Sequence, residues 1–232
     1  VKPFRAFVVG TDTGVGKTQV ASTLLSLLAD RGDHPAPFKP YETGVDPKIG
    51  PADALLLREA ARSNDDLKLI CPHRFRLPLA PGVAAERLGR EPSFERTLAA
   101  YRSFDGRPLI AEAAGGLRVP IDSKHDVVDL VKALRLPAIL VARAGLGTLN
   151  HTALSMDLLR AMRIPVLAIV LVRSKPERDP SERDNAAVIT RRHRALVLGP
   201  VPYVRDVVRR RTTFRHALKH LTHGSPQSRE LL

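Results

Sequence analysis

Nine consecutive residues, Gly10-Thr11-Asp12-Thr13-Gly14-Val15-Gly16-Lys17-Thr18, hold the densest chemical information in the chain. Glycines let backbone N–H groups turn inward around an anion, and a helix opening at the lysine adds the partial positive charge of its N-terminus. Lys17 supplies a mobile cation for the β- and γ-phosphates of a nucleotide, and Thr18 offers a hydroxyl to a magnesium ion. The pattern is a phosphate-binding P-loop one residue longer than G-x-x-x-x-G-K-[ST], since five residues separate Gly10 from Gly16. A glycine-rich turn with an accidental Gly-Lys-Thr is the alternative. It is disfavoured because an apolar run precedes the loop and a helical pattern follows it.

Three further residues have the right type and place to serve such a site. Glu112 follows the apolar run 109–111 and precedes Gly115-Gly116, at the sheet edge where open α/β folds bind ligands. Magnesium needs only one or two carboxylates when phosphates and waters complete its shell. Asp53 starts a helical pattern and suits either a helix-end charge or a metal ligand. Lys39, pinned by Pro40, ends a short apolar run, and reads either as a surface lysine or as a second cation facing the phosphate loop.

The elements that must position these groups are legible as short apolar runs alternating with longer amphipathic ones, which predicts βαβ units. Strands are expected at 5–9, 36–38, 109–111, 138–142, 166–172 and 195–198. Helices are expected at 17–30, 52–62, 93–103, 127–134, 148–163 and 185–193. Segments 73–82 and 175–183 contain proline and read as irregular. The apolar runs lack alternation, so the strands should be covered on both faces. The expectation is an α/β, single-domain P-loop NTPase fold over residues 1–232, with a mostly parallel central sheet flanked by helices on both faces.

Composition bounds the function class. A chain of 232 residues with 44% hydrophobic and 26% charged content matches a soluble globule with its own core. Aromatics are only 4%, with no Trp, so Val, Leu, Ile and Ala must fill the interior. The apolar run before Gly10 is too short for a signal peptide or a membrane span, and the lone Cys71 excludes an internal disulfide. A cytoplasmic location is expected. Net charge is +13, and between Arg173 and Lys219 thirteen Lys/Arg face five Asp/Glu. No DNA-reading or base-stacking motif accompanies that charge, so neither nucleic acid nor membrane is expected as a partner. The stretch 204–221 reads either as a basic amphipathic helix for a membrane or as an ordinary surface helix.

Six motifs in chain order resemble the dethiobiotin synthetase family, from the first strand to about Val204. The family's GTDTxVGKT loop stands at 10–18, its KPxxSG segment at Lys39-Pro40-Tyr41-Glu42-Thr43-Gly44, and its Ser-Asp-Ala element at Ala52-Asp53-Ala54. VEGAGG is matched by Ala111-Glu112-Ala113-Ala114-Gly115-Gly116. LPVILVxxxxLGxxNH is matched by 136–141 and Leu146-Gly147-Thr148-Leu149-Asn150-His151, and LGxIPW by Leu198-Gly199-Pro200-Val201-Pro202-Tyr203.

The resemblance implies a ligase of biotin synthesis acting on ATP, CO2 or bicarbonate, and 7,8-diaminononanoate, with Mg2+ as cofactor and a homodimer as the working form. It implies Lys39, Lys17 and Thr13 as catalytic residues and Thr18, Asp53 and Glu112 as magnesium ligands. Gly14, Val15, Gly16, Gln19, Gly115, Arg173, Ser174, Pro202 and Tyr203 would contact the nucleotide. Thr43, Gly115, Gly116 and the 147–150 segment (Gly147, Thr148, Leu149, Asn150), the last from a second subunit, would contact the diamine. Four residues depart from the family: Arg173 and Ser174 stand in place of the usual base-reading Asn, Ala113 of a Gly, and Gly82 of a frequent His. Arg173 cannot accept a hydrogen bond from an adenine amino group.

Two rivals share the fold. A partition-type switch ATPase would carry a second lysine in the loop, where this chain has Asp12. An amidating ligase of the cobyrinate type would need a further glutaminase domain, for which 232 residues leave no room.

Overall fold

In the computed structural model, which describes residues 2–222, β1 (Arg5–Gly10) runs through the glycine-rich loop into α1 (Lys17–Asp30). Next come β2 (Ala36–Phe38), β3 (Tyr41–Thr43), α2 (Ala52–Ala60), α3 (Leu67–Ile70), β4 (His73–Phe75), α4 (Pro81–Arg87) and α5 (Phe94–Arg102). The chain continues through β5 (Leu109–Gly116), α6 (Val127–Leu134), β6 (Ala138–Arg143), α7 (Thr148–Ala161), β7 (Val166–Val172), α8 (Glu182–His193), β8 (Val197–Val201) and α9 (Val207–Thr222). Val1 and 223–232, included in the expected domain span, lie outside the described residues.

Six strands pair in the order β2-β5-β1-β6-β7-β8, each pairing parallel. Alternate residues feed opposite layers. Phe7, Val9, Leu109 and Ala111 join the layer that holds Val128 and Val131 of α6 and Leu159 of α7. Ala6, Val8, Ile110 and Val141 pack with Leu24 and Leu28 of α1. Burial on both faces is why these strands read as unbroken apolar runs. The chain leaves β1 for β2 on one side, while β6, β7 and β8 extend the sheet on the other. A crevice opens at the carboxyl end of β1, where the winding direction changes.

Short elements escape sequence periodicity, and here they matter. β3 and β4 form a two-stranded parallel sheet of their own, so 73–82 is not wholly irregular: it holds β4 and the start of α4. Tyr41 stacks on His73 with ring centroids 4.8 Å apart, and both reach the Thr97 hydroxyl at 3.0 Å. That buried knot fixes the segment following Lys39. β5 extends to Gly116, so Glu112 lies within the strand rather than after it. α8 starts at Glu182, inside the segment expected as loop, and β8 lies at Val197–Val201 rather than 195–198.

The stretch 204–221 folds as α9, whose Phe214, Leu218 and Leu221 are buried in the layer shared with α1. That part of its apolar face packs inside the fold, while Val207 and Val208 at its start remain exposed. Among the described residues no helix is long and apolar enough to cross a membrane. Cys71 is buried, and burial pushes its thiol pKa up, so it has no thiolate character.

Candidate active site

The loop between β1 and α1 closes on itself. Gly16, with φ of 102°, caps α1 in the left-handed region, and no side chain occupies the helix N-terminus. A Cβ on Gly10 would lie 3.0 Å from Lys17 Nζ and 2.9 Å from the Asp12 carbonyl oxygen, so only glycine admits the lysine here. Lys17 Nζ donates to that carbonyl oxygen at 2.8 Å. The Asp12 carboxylate accepts from Thr13 N at 2.7 Å and pairs with Arg143 at 2.6 Å. Burial pulls the Lys17 ammonium down to about 8, and the nearby Lys39 charge adds to the effect.

Across the cleft, four side chains converge, from α1, α2, β5 and the link between β2 and β3. Thr18 Oγ1 donates to Glu112 Oε1 at 2.8 Å and to Asp53 Oδ1 at 3.3 Å. Lys39 Nζ lies 2.6 Å from Glu112 Oε1, 3.1 Å from Asp53 Oδ2 and 3.3 Å from the Ala113 carbonyl oxygen. Lys39 and Glu112 are buried, at 4% and 1% side-chain exposure, which settles Lys39 as an inward cation rather than a surface lysine. Burial opposes the Lys39 ammonium, but the Glu112 and Asp53 charges outweigh it and hold its pKa above the ordinary lysine value. Burial also pushes Glu112 upward. Its Oε1 nevertheless accepts from both Lys39 and Thr18, the hydrogen-bonding pattern of a carboxylate.

This donor set fits magnesium. Glu112 Oε2 is buried without a hydrogen-bond partner among the described residues, and such an atom calls for a positive neighbour. Thr18, Asp53 and Glu112 offer hard oxygens only, leaving room for phosphate oxygens and waters in an octahedral shell. Among the described residues no group of three His, Cys, Asp or Glu forms a site by itself. The helix end that carries Asp53 meets a residue that sequence reasoning passed over. Glu42 accepts from Asp53 N and Ala54 N, each at 3.0 Å, with its two oxygens.

Two connected hollows result. The larger, of about 540 Å³, is lined by Thr13, Lys17, Thr18, Lys39, Asp53 and Glu112, together with Thr43 and Gly115. The smaller, of about 200 Å³, shares Gly14, Gly16 and Gln19 with the first and is walled by Val15, Arg173, Ser174, Pro202 and Tyr203. The expected nucleotide contacts are thus gathered from the loop after β1, from α1 and β5, and from the segments that follow β7 and β8. Arg173 is not free to read a base: its Nε and Nη2 donate to Glu182 Oε2 at 2.8 and 2.6 Å.

Gly116 lines neither hollow; it packs behind the loop, where a Cβ would sit 3.6 Å from the Gly10 carbonyl oxygen. Gly147, Thr148, Leu149 and Asn150 also stay away from both hollows of their own chain. They form the start of α7, which Gly147 caps with φ of 89° and no side-chain partner. The loop before it is stapled by Asp179 Oδ2, accepting from Leu146 N at 2.9 Å, and by Asn185 Nδ2, donating to Ala144 O at 2.8 Å. Leu146 is 85% exposed at its tip.

A family profile described as an AAA domain matches residues 5–211. An ATP-dependent dethiobiotin synthetase of Anaeromyxobacter dehalogenans is 44% identical over 207 residues, covering 88% of this chain and 92% of that one. The protein of the same name from Bacillus subtilis is 34% identical over 215 residues, with 92% of each chain covered. A putative plasmid partition protein from Borrelia burgdorferi, solved with AMPPNP, overlays with a TM-score of 0.55 at 10% identity, covering 95% of this chain and all of that one. That overlay speaks for the fold alone, whereas the sequence identities speak for descent. The chain belongs to the ATP-dependent dethiobiotin synthetase family.

Proposed function

We propose that the chain closes the ureido ring of dethiobiotin from 7,8-diaminononanoate, CO2 and ATP. One amine of the diamine adds to CO2 and loses a proton, giving a carbamate. A carbamate oxygen attacks the γ-phosphorus and ADP leaves. The second amine then attacks the carbamoyl carbon and gives up a proton, phosphate departs, and the cyclic urea is complete.

The observation that carries this reading is the second buried ammonium. An enzyme that only hydrolyses ATP has no need of Lys39 held by Glu112 and Asp53 beside the phosphate loop. A carbamate must be kept anionic and in line with the γ-phosphate, and a fixed cation does both. Lys17 and Thr13 face the transferring phosphoryl group, and Thr43 and Gly115 bound the diamine. Thr18, Asp53 and Glu112 would hold Mg2+, which when bound neutralises phosphate charge. Gly14, Val15, Gly16, Gln19, Ser174, Pro202 and Tyr203 surround the nucleotide, with Arg173 forming wall rather than reader. The 147–150 segment serves a partner's site in a homodimer, its helix N-terminus receiving the diamine's carboxylate. The reaction takes place in the cytoplasm, where ATP and bicarbonate are both present.

The switch-ATPase alternative lacks its key residue: Asp12 stands in the lysine's slot and is neutralised within the chain by Arg143. Turnover with 18O-labelled CO2 tests the ligase reading. Dethiobiotin should form, with one labelled oxygen passing into phosphate. ADP release indifferent to the diamine would exclude the proposal.

A further inference from the structure

The N-terminus of α2 is capped from outside its own sequence. Its N-cap residue is Pro51, which offers no side-chain hydrogen bond. The first-turn N–H groups of Asp53 and Ala54 instead donate to the two carboxylate oxygens of Glu42, 3.0 Å each. Glu42 comes from β3, and its neighbour Tyr41 is locked into the buried knot with His73 and Thr97. A carboxylate at a helix N-terminus satisfies free donors and complements the dipole together. Here that contact also ties the angle at which α2 enters the cleft to the rigid β3 strand.

Asp53 is the residue that this angle controls. Its side chain is 42% exposed, and it meets the cluster through Thr18 at 3.3 Å and Lys39 at 3.1 Å. Nothing in its own turn fixes it. Glu42 is itself buried, and it lines the larger hollow. Both its oxygens are spent on backbone N–H groups, so it is poorly placed to take a proton from an amine.

We infer that Glu42 is a positioning residue for metal binding: by capping α2 it holds the Asp53 carboxylate at the distance from Thr18 and Glu112 that one magnesium ion requires. The inference rests on the ligand set proposed above but not on the identity of the diamine.

Glu42→Gln presents an amide NH2 to one of the two N–H donors, leaving a donor facing a donor. Metal binding is read directly, without turnover, by titrating Mn2+ into the protein with ADP and following free Mn2+ by electron paramagnetic resonance. The dissociation constant for Mn2+ should rise at least tenfold in Glu42→Gln, as it should in Asp53→Asn. ADP binding in EDTA, read by calorimetry, should stay within twofold of the parent. Glu42→Asp keeps the charge but shortens the reach, and should give an intermediate Mn2+ affinity if Glu42→Gln does not fold. Unchanged Mn2+ affinity in a folded Glu42 variant would overturn the inference. So would an equal loss of ADP affinity in EDTA, which would mean that the whole cleft had collapsed. A chain that bound Mn2+·ADP as described but made no dethiobiotin would overturn the proposed reaction and leave this inference standing.

Discussion

Lys39 Nζ and Glu112 Oε1 approach to 2.6 Å at the floor of the cleft, where neither side chain is more than 4% exposed. Breaking a buried pair of this kind leaves one charge without compensation, at a cost of about 3–5 kcal/mol. Because the Lys39 pKa is raised in the folded chain, its stabilising contribution is complete below the unfolded value of 10.5. It disappears only as pH climbs through the folded value, beyond the range of ordinary assays. Lys39→Ala should therefore lose both stability and diamine-dependent ADP release at pH 7, the latter by at least about a hundredfold. Urea denaturation and a coupled ADP assay measure the two effects, and a folded Lys39→Ala protein with near-normal turnover would refute the proposed chemistry.

Lys17 has the opposite sign. Its pKa, lowered to about 8, means that the free protein bears a cost for the charged form below pH 8, relieved as pH rises from there toward 10.5. Lys17→Met should stabilise the ligand-free fold at pH 7 by on the order of 1–3 kcal/mol, while weakening nucleotide binding. ADP binding to the parent should draw a proton onto Lys17 and weaken above pH 8, by up to about tenfold per pH unit. Calorimetry in two buffers of different ionisation enthalpy reads this proton uptake. Proton-neutral binding at pH 8.5 would contradict it.

Base choice should be loose. Arg173 is tied to Glu182 through Nε and Nη2 and can only donate, so no acceptor there selects the adenine amino group. A single neutral hydrogen bond is worth about 0.5–1.5 kcal/mol, so kcat/KM for ATP, GTP and CTP should agree within about tenfold. A strong preference for ATP would point to another reader in the smaller hollow, Gln19 or Ser174 being the candidates.

The tip of the loop before α7 should lie in a subunit contact. Leu146 and Leu154 are 85% and 63% exposed, and Leu149, in the first turn of α7, is 36% exposed. Leu146→Glu should shift the molecular mass by light scattering toward a monomer. It should also abolish diamine-dependent turnover while leaving ADP affinity unchanged, because no residue of 147–150 lines either hollow of its own chain. A monomeric variant with full turnover would remove the second subunit from the site.

The phosphate loop was legible because its chemistry is local. Glycines, lysine and threonine sit within nine residues, and the apolar strand before them and the helix behind announce themselves by pattern. The parallel sheet was legible for a similar reason: strands buried on both faces must be apolar at nearly every position. Lys39, Asp53 and Glu112 were visible as candidates, but the residues alone left Lys39 open between surface and cleft and Asp53 open between helix end and ligand. Only tertiary structure brought both into the cleft, since their partners lie 73 and 35 positions away along the chain.

Glu42 and Glu182 gave no signal at all. Glu42 acts on backbone N–H groups, which every residue but proline carries, so no side-chain pattern marks its partners. Glu182 matters because it occupies Arg173, and their geometry depends on how the loop after β7 folds back onto α8. Sequence determined which groups the site contains, because binding phosphate demands particular atoms at short spacing. Tertiary structure decided which of those groups are charged, held or spent, because burial and neighbours set these properties and neither is local.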